Sequence, residues 1–411
     1  MATSRILGSG IKRREDPRLI TGQAKYTDDF VLPGMTYMSV VRSPYAHARI
    51  KKIDTKKAAA MPGVLGVFTG QQMKDAGFGP IPCAWVVPNS NTKTPPYPAI
   101  AIDTVRYVGN AVAIVVAQDR YQARDAADAV DVEYDPLPVV VDAAKATEKG
   151  APQLHADVPN NVCFDWHVAG GDIDAAFKNA EVVVRDHIVN QRLIPNAMEP
   201  RAALAHYSNA MGELTLWSTT QNPHIERFLL SLDTGIPEHK IRVIAPEVGG
   251  GFGSKIPHYP EAAMAVFASK ATNRPVKWTE TRSENFRSTI HGRDHIQDVE
   301  LAAKRDGTIL GLRAKVWANL GAYLSTASTV IPTILHGLML SGVYKIPAIK
   351  EDVFGVFTNT TPVDAYRGAG RPESTFIVER LVDLLAYELK MDPVDVRRKN
   401  LIPPFKDGYP V

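Results

Sequence analysis

The sequence predicts an α+β protein with more than one hydrophobic core. Strand-like and helix-like stretches are mixed along most of the chain. Residues 142–170 hold prolines, asparagines and glycines with no apolar period, and they separate two patterned regions. The 411 residues are 45% hydrophobic and 22% charged, which supplies apolar material for two or three cores.

Residues 1–25 read as an extended N-terminal arm. Residues 26–141 are strand-rich. "MTYMSVVRS" and "GVLGVFTG" alternate or run apolar over strand lengths, and "VGNAVAIVVAQ" reads as a buried strand entered by Gly109. In "DRYQARDAADAVDVEY", Ala123, Ala126, Ala127 and Val130 share one helical face, so a helix should run into a strand ending at Asp135-Pro136. Residues 142–170 are the linker. Residues 171–411 mix both element types. "EVVVRDHIVNQRL", "GELTLWSTT" and "IRVIAP" read as strands. "NPHIERFLLSLDTG" reads as a helix capped by Asn222, with Pro223 in its first turn and Gly235 just past its end. "PEAAMAVFASKATN" is a second proline-started helix, and a hairpin is expected around Asp306-Gly307. The helix "ESTFIVERLVDLLAYELK" can turn Phe376, Ile377, Leu381, Leu384, Leu385 and Tyr387 to a core. "DPVDVRRKN" starts another, capped by Asp392, and "PPFKDGYPV" is an irregular end.

Several function classes fall away on composition. The formal charge is +3, with acids and bases interspersed and no basic run beyond Lys12–Arg14, so no nucleic-acid surface is expected. Cys83 and Cys163 cannot form a disulfide framework, a zinc site or an iron–sulfur site. Residues 1–22 lack an apolar signal region, and Arg13–Arg14 lacks the hydrophobic segment of a twin-arginine leader. The stretch 328–344 is apolar but broken by proline, histidine and glycines, so no membrane span is expected. The expectation is a soluble, cytoplasmic protein.

Three loops carry chemistry. "VGGGFGSK", residues 248–255, has four glycines and follows a strand. A dinucleotide fingerprint would need glycine where Ser254 stands, and a P-loop would need Gly-Lys-Ser where Gly253-Ser254-Lys255 stands. That leaves two readings: tight packing on a neighbouring element, or backbone pressed against another bulky ligand with Phe252 reaching it. "DAYRGAGRPES", residues 364–374, sets Arg367 and Arg371 among glycines just before a helix start at Pro372 or Glu373, an arrangement suited to an anion or to surface ion pairs. "STTQNPH" ends a strand with Gln221, whose amide can enter a cleft or simply bond to backbone.

Together, in this order and spacing, these loops resemble the molybdenum hydroxylase family, the large molybdopterin-binding subunits related to xanthine dehydrogenase, aldehyde oxidase and aerobic carbon-monoxide dehydrogenase. "GSGIKRREDPRLITGQAKYTDDF", "VVRSPYAHARI" and "ERLVDLLAYELKMDPVDVRRKNLI" resemble it too, and the similarity covers essentially the whole chain. It implies an α/β hammerhead domain over residues 26–141 and a first molybdopterin-binding domain over 171–411. A second molybdopterin-binding domain, with the family's general base, has no counterpart in these residues.

The resemblance also implies roles. Gln221 is expected to hydrogen-bond an oxygen ligand of molybdenum. Gly250, Gly251, Phe252 and Gly253 are expected to lie against the metal centre and pterin, and the backbone of Arg367 with its neighbours Gly368 and Ala369 to approach the metal. No side chain is expected to bind the metal. The implied cofactor is molybdenum–molybdopterin, in the cytosine dinucleotide form. The implied reaction oxidises an electron-poor carbon of a small-molecule substrate, with oxygen drawn from water. Electrons would pass to a small [2Fe-2S] subunit and a medium FAD-binding subunit, since two cysteines cannot hold those clusters. The C-terminal half of the large subunit is a further implied partner.

Departures narrow the substrate. Gly368 stands where the carbon-monoxide enzymes carry a copper-binding cysteine. Ile256 replaces the purine oxidases' glutamate, Leu335 and His336 replace their arginine, and Ala369 replaces their phenylalanine. These changes point to N-heterocycles, aldehydes or similar carbons rather than carbon monoxide or xanthine. Glu199, His258, Tyr259 and His336 are the candidates for a substrate channel. Lys255 is expected to be structural or to contact the pterin.

Overall fold

The computed structural model describes residues 8–88 and 90–406. Residues 1–7 of the expected arm and the last residues of the irregular end lie outside the described residues.

A seven-stranded mixed sheet forms the centre. It is built from β1 (Thr36–Arg42), β3 (Val64–Thr69), β5 (Ala111–Ala117), β9 (Ala202–Ser208), β10 (Glu213–Ser218), β11 (Ile241–Ile244) and β12 (Val276–Thr279), in the order β11-β10-β9-β12-β1-β5-β3. β1 pairs parallel to β12, so strands from both sides of the 142–170 segment share one sheet. β5 is buried at every position, which is why it reads as an unbroken apolar run rather than an alternation. The helix Arg120–Asp128 packs its alanines on β1 and β5, and Asp119 caps it by accepting from the amides of Tyr121 and Gln122. A three-stranded sheet of β4 (Thr104–Val105), β2 (Ala48–Asp54) and β6 (Asp131–Pro136) flanks this region.

A five-stranded sheet runs in the order β7-β15-β14-β13-β8, from β7 (Val162–Gly170), β8 (Val182–Asn190), β13 (His295–Ala303), β14 (Ile309–Gly321) and β15 (Ile349–Phe357). β13 and β14 are the expected hairpin. Gly307 makes its turn at φ +86°, where a left-handed backbone favours glycine.

The structure corrects three readings. Residues 16–20 of the arm are a short helix, tethered where Arg18 meets Glu247 at 2.5 Å. The aperiodic segment 142–170 ends in a nine-residue strand, β7, which pairs with β15. The helix Arg371–Leu389 packs on β8 and β13 through Ile377, Val378, Leu381, Val382 and Leu385, whereas Phe376 and Tyr387 are exposed. The buried stripe lies further round than the largest side chains suggest, because neighbouring elements choose the face.

The helix Pro260–Thr272 is buried along most of its length. It packs on β9, β10 and β12 directly below the glycine-rich loop, and so anchors the loop's exit.

Candidate active site

β10 delivers Gln221 and β11 delivers the glycine-rich loop, and parallel pairing of the two strands puts both at one sheet end. The Gln221 side-chain Oε1 accepts hydrogen bonds from the amides of Gly253 (3.0 Å) and Lys255 (3.3 Å). Only the carboxamide oxygen can accept from two N–H groups, so the geometry settles which way the amide faces, and among the described residues Nε2 is left as a donor without a partner. Its backbone N–H donates to Lys255 O at 2.8 Å.

The glycines serve close packing. A Cβ on Gly251 would sit 2.3 Å from Gln221 Oε1, one on Gly249 2.5 Å from Glu199 Cβ, and one on Gly253 2.4 Å from Ala365 O. The packing reading of this loop is therefore realised, and it is what draws the three loops together. Phe252 sits at φ +55° with its ring half exposed.

The loop 364–370 docks alongside, with the Arg367 N–H donating to Phe252 O at 2.8 Å. Gly368, Ala369 and Gly370 all have positive φ, at 101°, 46° and 87°. A further pair of left-handed residues, Arg293 and Asp294, lies against it. Left-handed non-glycine residues are uncommon and concentrate at functional sites. Phe252, Arg293 and Ala369 are brought together here. Among the described residues, the amides of Gly250, Gly251, Phe252 and Gly368 have no hydrogen-bond partner. An open, half-exposed face thus carries unspent N–H donors and the Gln221 Nε2, with few charges. That donor set suits oxygen-rich or anionic groups brought close to backbone.

Beneath the face lies a buried ionic framework. Arg201 donates to Glu261 (2.9 Å) and Glu280 (2.6 Å), and Arg42 donates to Glu261 and Glu284 (2.9 Å each). Burial would raise the Glu261 carboxyl, but Arg201 and Arg42 pull it down to about 2. The Arg201 guanidinium also lies 3.8 Å from the Tyr259 ring centroid.

The structure gives the expected channel residues other places. His258 is buried with Nε2 2.7 Å from Asp233 Oδ2; burial opposes its charge, but Asp233 overrides this and raises its pKa. The Tyr259 hydroxyl donates to Ser254 O (2.5 Å) and accepts from Ile290 N–H, so it braces the loop from below. His336 is buried 2.7 Å from the buried Glu351. None of the three reaches the open face. Asp233, Glu351 and Ile290, which hold His258, His336 and the Tyr259 hydroxyl, are distant in sequence and no local pattern announces them; Ser254 is only five residues from Tyr259. Glu199 accepts from the Gly249 N–H (2.7 Å) and from Lys255 Nζ (2.9 Å), and does not pair with Arg201. Lys255 is buried, and desolvation lowers its pKa despite Glu199; its role is structural. Sequence reading also passed over Arg293 and Glu373, which pair at 3.5 Å behind the 364–370 loop. Among the described residues no group of His, Cys, Asp or Glu could hold a metal ion. No helix among the described residues is long and apolar enough to cross a membrane.

Comparison with known proteins adds a separate line of argument. Residues 154–401 match the molybdopterin cofactor-binding domain, and residues 21–138 match the aldehyde oxidase and xanthine dehydrogenase a/b hammerhead domain. The chain is 41% identical over 407 residues to a carbon monoxide dehydrogenase large chain of Hydrogenophaga pseudoflava, covering 95% of this chain and 49% of that protein. Quinoline 2-oxidoreductase from Pseudomonas putida 86 superposes with a TM-score of 0.92 at 36% identity, over 97% of this chain and 50% of that one. The chain therefore spans about half the length of these relatives. It is also 32% identical to the nicotinate dehydrogenase large molybdopterin subunit of Eubacterium barkeri, and there it covers 89% of the relative.

Proposed function

We propose a function from one premise: the chain belongs to the aldehyde oxidase and xanthine dehydrogenase family, through its hammerhead and molybdopterin cofactor-binding domains. On this reading it is the molybdopterin-binding subunit, or the first half of one, in a multi-subunit molybdenum hydroxylase. The complex would act in the cytoplasm on an electron-poor carbon of an N-heterocycle, an aldehyde or a similar small molecule.

The observation that carries the reading is the donor-rich face where the three loops meet. Its residues fit the group. Among the described residues the Gln221 Nε2 has no partner and is held in one orientation, and the amides of Gly250, Gly251, Phe252 and Gly368, likewise without partners, offer further neutral donors. When bound, a molybdenum–pterin group, in its cytosine dinucleotide form, supplies the oxygen-transfer and two-electron chemistry. The chain's own part is to hold that group by backbone and to offer hydrogen bonds that need no charge change. It also keeps the site on rigid strand ends. The half-exposed Phe252 ring lies at this face and would shape substrate entry, with the exposed Arg367 following in the adjoining loop. Electrons would leave through partner subunits carrying [2Fe-2S] clusters and FAD.

A second reading is favoured by the 89% coverage of the Eubacterium barkeri subunit. In that reading a separate polypeptide supplies the rest of the molybdopterin site, and this chain is inactive alone. Co-expression with a candidate C-terminal chain and the two electron-transfer subunits tests both. The expected result is stoichiometric molybdenum and pterin, substrate-dependent dye reduction and label from ¹⁸O-water in the product. A complex without molybdenum or pterin from a competent host would overturn the cofactor assignment. Full occupancy and turnover by this chain alone would remove the two-polypeptide reading.

A further inference from the structure

We propose that Arg293 is a positioning residue that aims the Gly368 amide into the candidate active site, with Glu373 holding its guanidinium in place. The significance for catalysis rests on the function proposed above, but the geometry does not. One guanidinium fork takes two successive carbonyls: Nη1 donates to Tyr366 O and Nη2 to Arg367 O, each at 2.8 Å. A trans peptide is planar, with its C=O and N–H pointing in opposite directions. Holding the Arg367 carbonyl towards Arg293 therefore turns the N–H of Gly368, in the same peptide unit, the other way. That amide is one of those left without a partner among the described residues. By the same rule, the held Tyr366 carbonyl directs the Arg367 N–H to its partner, Phe252 O, at 2.8 Å. The Tyr366 carbonyl also accepts from the Ala369 N–H at 2.8 Å, so Arg293 shares that peptide plane with the turn, whereas among the described residues it is the donor to the Arg367 carbonyl whose plane presents the Gly368 N–H.

The surroundings are built for this contact. Arg293 is 9% exposed and stacks over the Tyr366 ring at 4.7 Å from its centroid. Its Nη1 lies 3.5 Å from Oε1 of Glu373, which is wholly buried in the first turn of the helix Arg371–Leu389. Glu373 Oε2 has no hydrogen-bond partner, so among the described residues Arg293 is its only salt-bridge cation. Arg293 and Asp294 take left-handed backbone at φ 63° and 67° to bring the guanidinium behind the loop. Gly292 makes room, since a Cβ there would sit 2.4 Å from Tyr366 Cβ. Lysine keeps the charge but cannot span two carbonyls with a planar fork.

Arg293→Lys separates aiming from mere support. In the chain without cofactor, exchange of the two hydrogen-bonded amides of the loop, Arg367 and Ala369, should quicken by roughly tenfold or more, while the helix Arg371–Leu389 and the melting temperature stay as in wild type. In the assembled complex, kcat should fall on the order of ten- to a hundredfold, with KM and molybdenum content unchanged and an altered molybdenum(V) EPR signal. Should Arg293→Lys fail to fold, Glu373→Gln, which keeps the fork but removes its counter-charge, is read by the same measurements. Wild-type exchange, kcat and EPR in the variant would overturn the proposal. So would a kcat loss matched by equal loss of molybdenum or by global destabilisation. A wild-type complex that takes up no molybdenum would sink the proposed function, and exchange at Arg367 and Ala369 would still decide whether Arg293 fixes the peptide planes of the loop.

Discussion

At the scale of single residues, the glycine-rich loop shows how local need and shared geometry combine. Gly251 allows Gln221 to lie flat against the loop, and that contact orients the one neutral side-chain donor of the site. Gly251→Ala would place a methyl within 2.3 Å of Gln221 Oε1, so the Gln221 carboxamide must swing off the Gly253 and Lys255 amides and lose its fixed orientation. The expected outcome is normal expression with molybdenum content reduced severalfold in the assembled complex, measured by metal analysis. Gln221→Ala removes the donor together with the acceptor of the Gly253 and Lys255 amides, while the backbone bond from Gln221 N–H to Lys255 O remains. Its kcat should fall about a hundredfold with molybdenum content near wild type, which steady-state kinetics would check. Lys255 is the opposite case, a residue whose charge looks available for a ligand. Its burial and its bonds to Glu199 show that the charge is spent inside the protein.

At the scale of elements, two long-range devices hold the site up. The first is the buried ionic framework joining β1, the start of β9 and the Pro260–Thr272 helix. Its Glu261 has a folded pKa of about 2 against an ordinary 4.5, which is a depressed value. Its contribution to stability is therefore complete above about pH 4.5 and is lost as the pH falls towards about 2. Glu261→Gln leaves two buried guanidiniums short of a partner and should cost about 3 kcal/mol at pH 6. The wild-type advantage, followed by urea unfolding, should shrink through that acid window, and an advantage constant down to pH 2 would refute the assignment. The second device is the helix Arg371–Leu389. Leu381→Ala should cost about 3 kcal/mol, since its side chain is wholly buried. Phe376→Ala should cost about 0.5 kcal/mol or less in the isolated chain, because that ring is half exposed. Equal costs would mean the face is wrongly assigned.

At the scale of the molecule, the seven-stranded sheet binds the two halves of the chain together. β12 lies between β9 and β1, so residues 150–411 alone would leave β12 with an unpaired, apolar edge. That fragment is expected to aggregate or unfold without a cooperative transition. Co-expression with residues 8–141 should restore solubility and one shared melting transition. A soluble, cooperatively melting 150–411 fragment would show that the sheet does not couple them. The open donor-bearing face belongs to this scale as well: the site residues are half exposed, and the chain spans about half of most relatives it matches.

Much of this was legible in order along the chain. β5, the alanine face of the helix Arg120–Asp128, both proline-started helices and the Asp306-Gly307 turn follow from period and turn chemistry, which act over a few residues. The three loop motifs followed from their own spacing and family resemblance. Folding decided what depends on partners far apart in sequence. It chose the buried stripe of the last long helix and made a strand of residues 162–170. It turned His258 and His336 inward to Asp233 and Glu351 and set the Tyr259 hydroxyl under the Ile290 N–H. It set Arg293 behind the loop 73 residues further on. The physical reason is one of range. Backbone propensity and apolar period are local, whereas the direction of a buried charge or a peptide plane is set by whichever group the tertiary fold places within 3 Å.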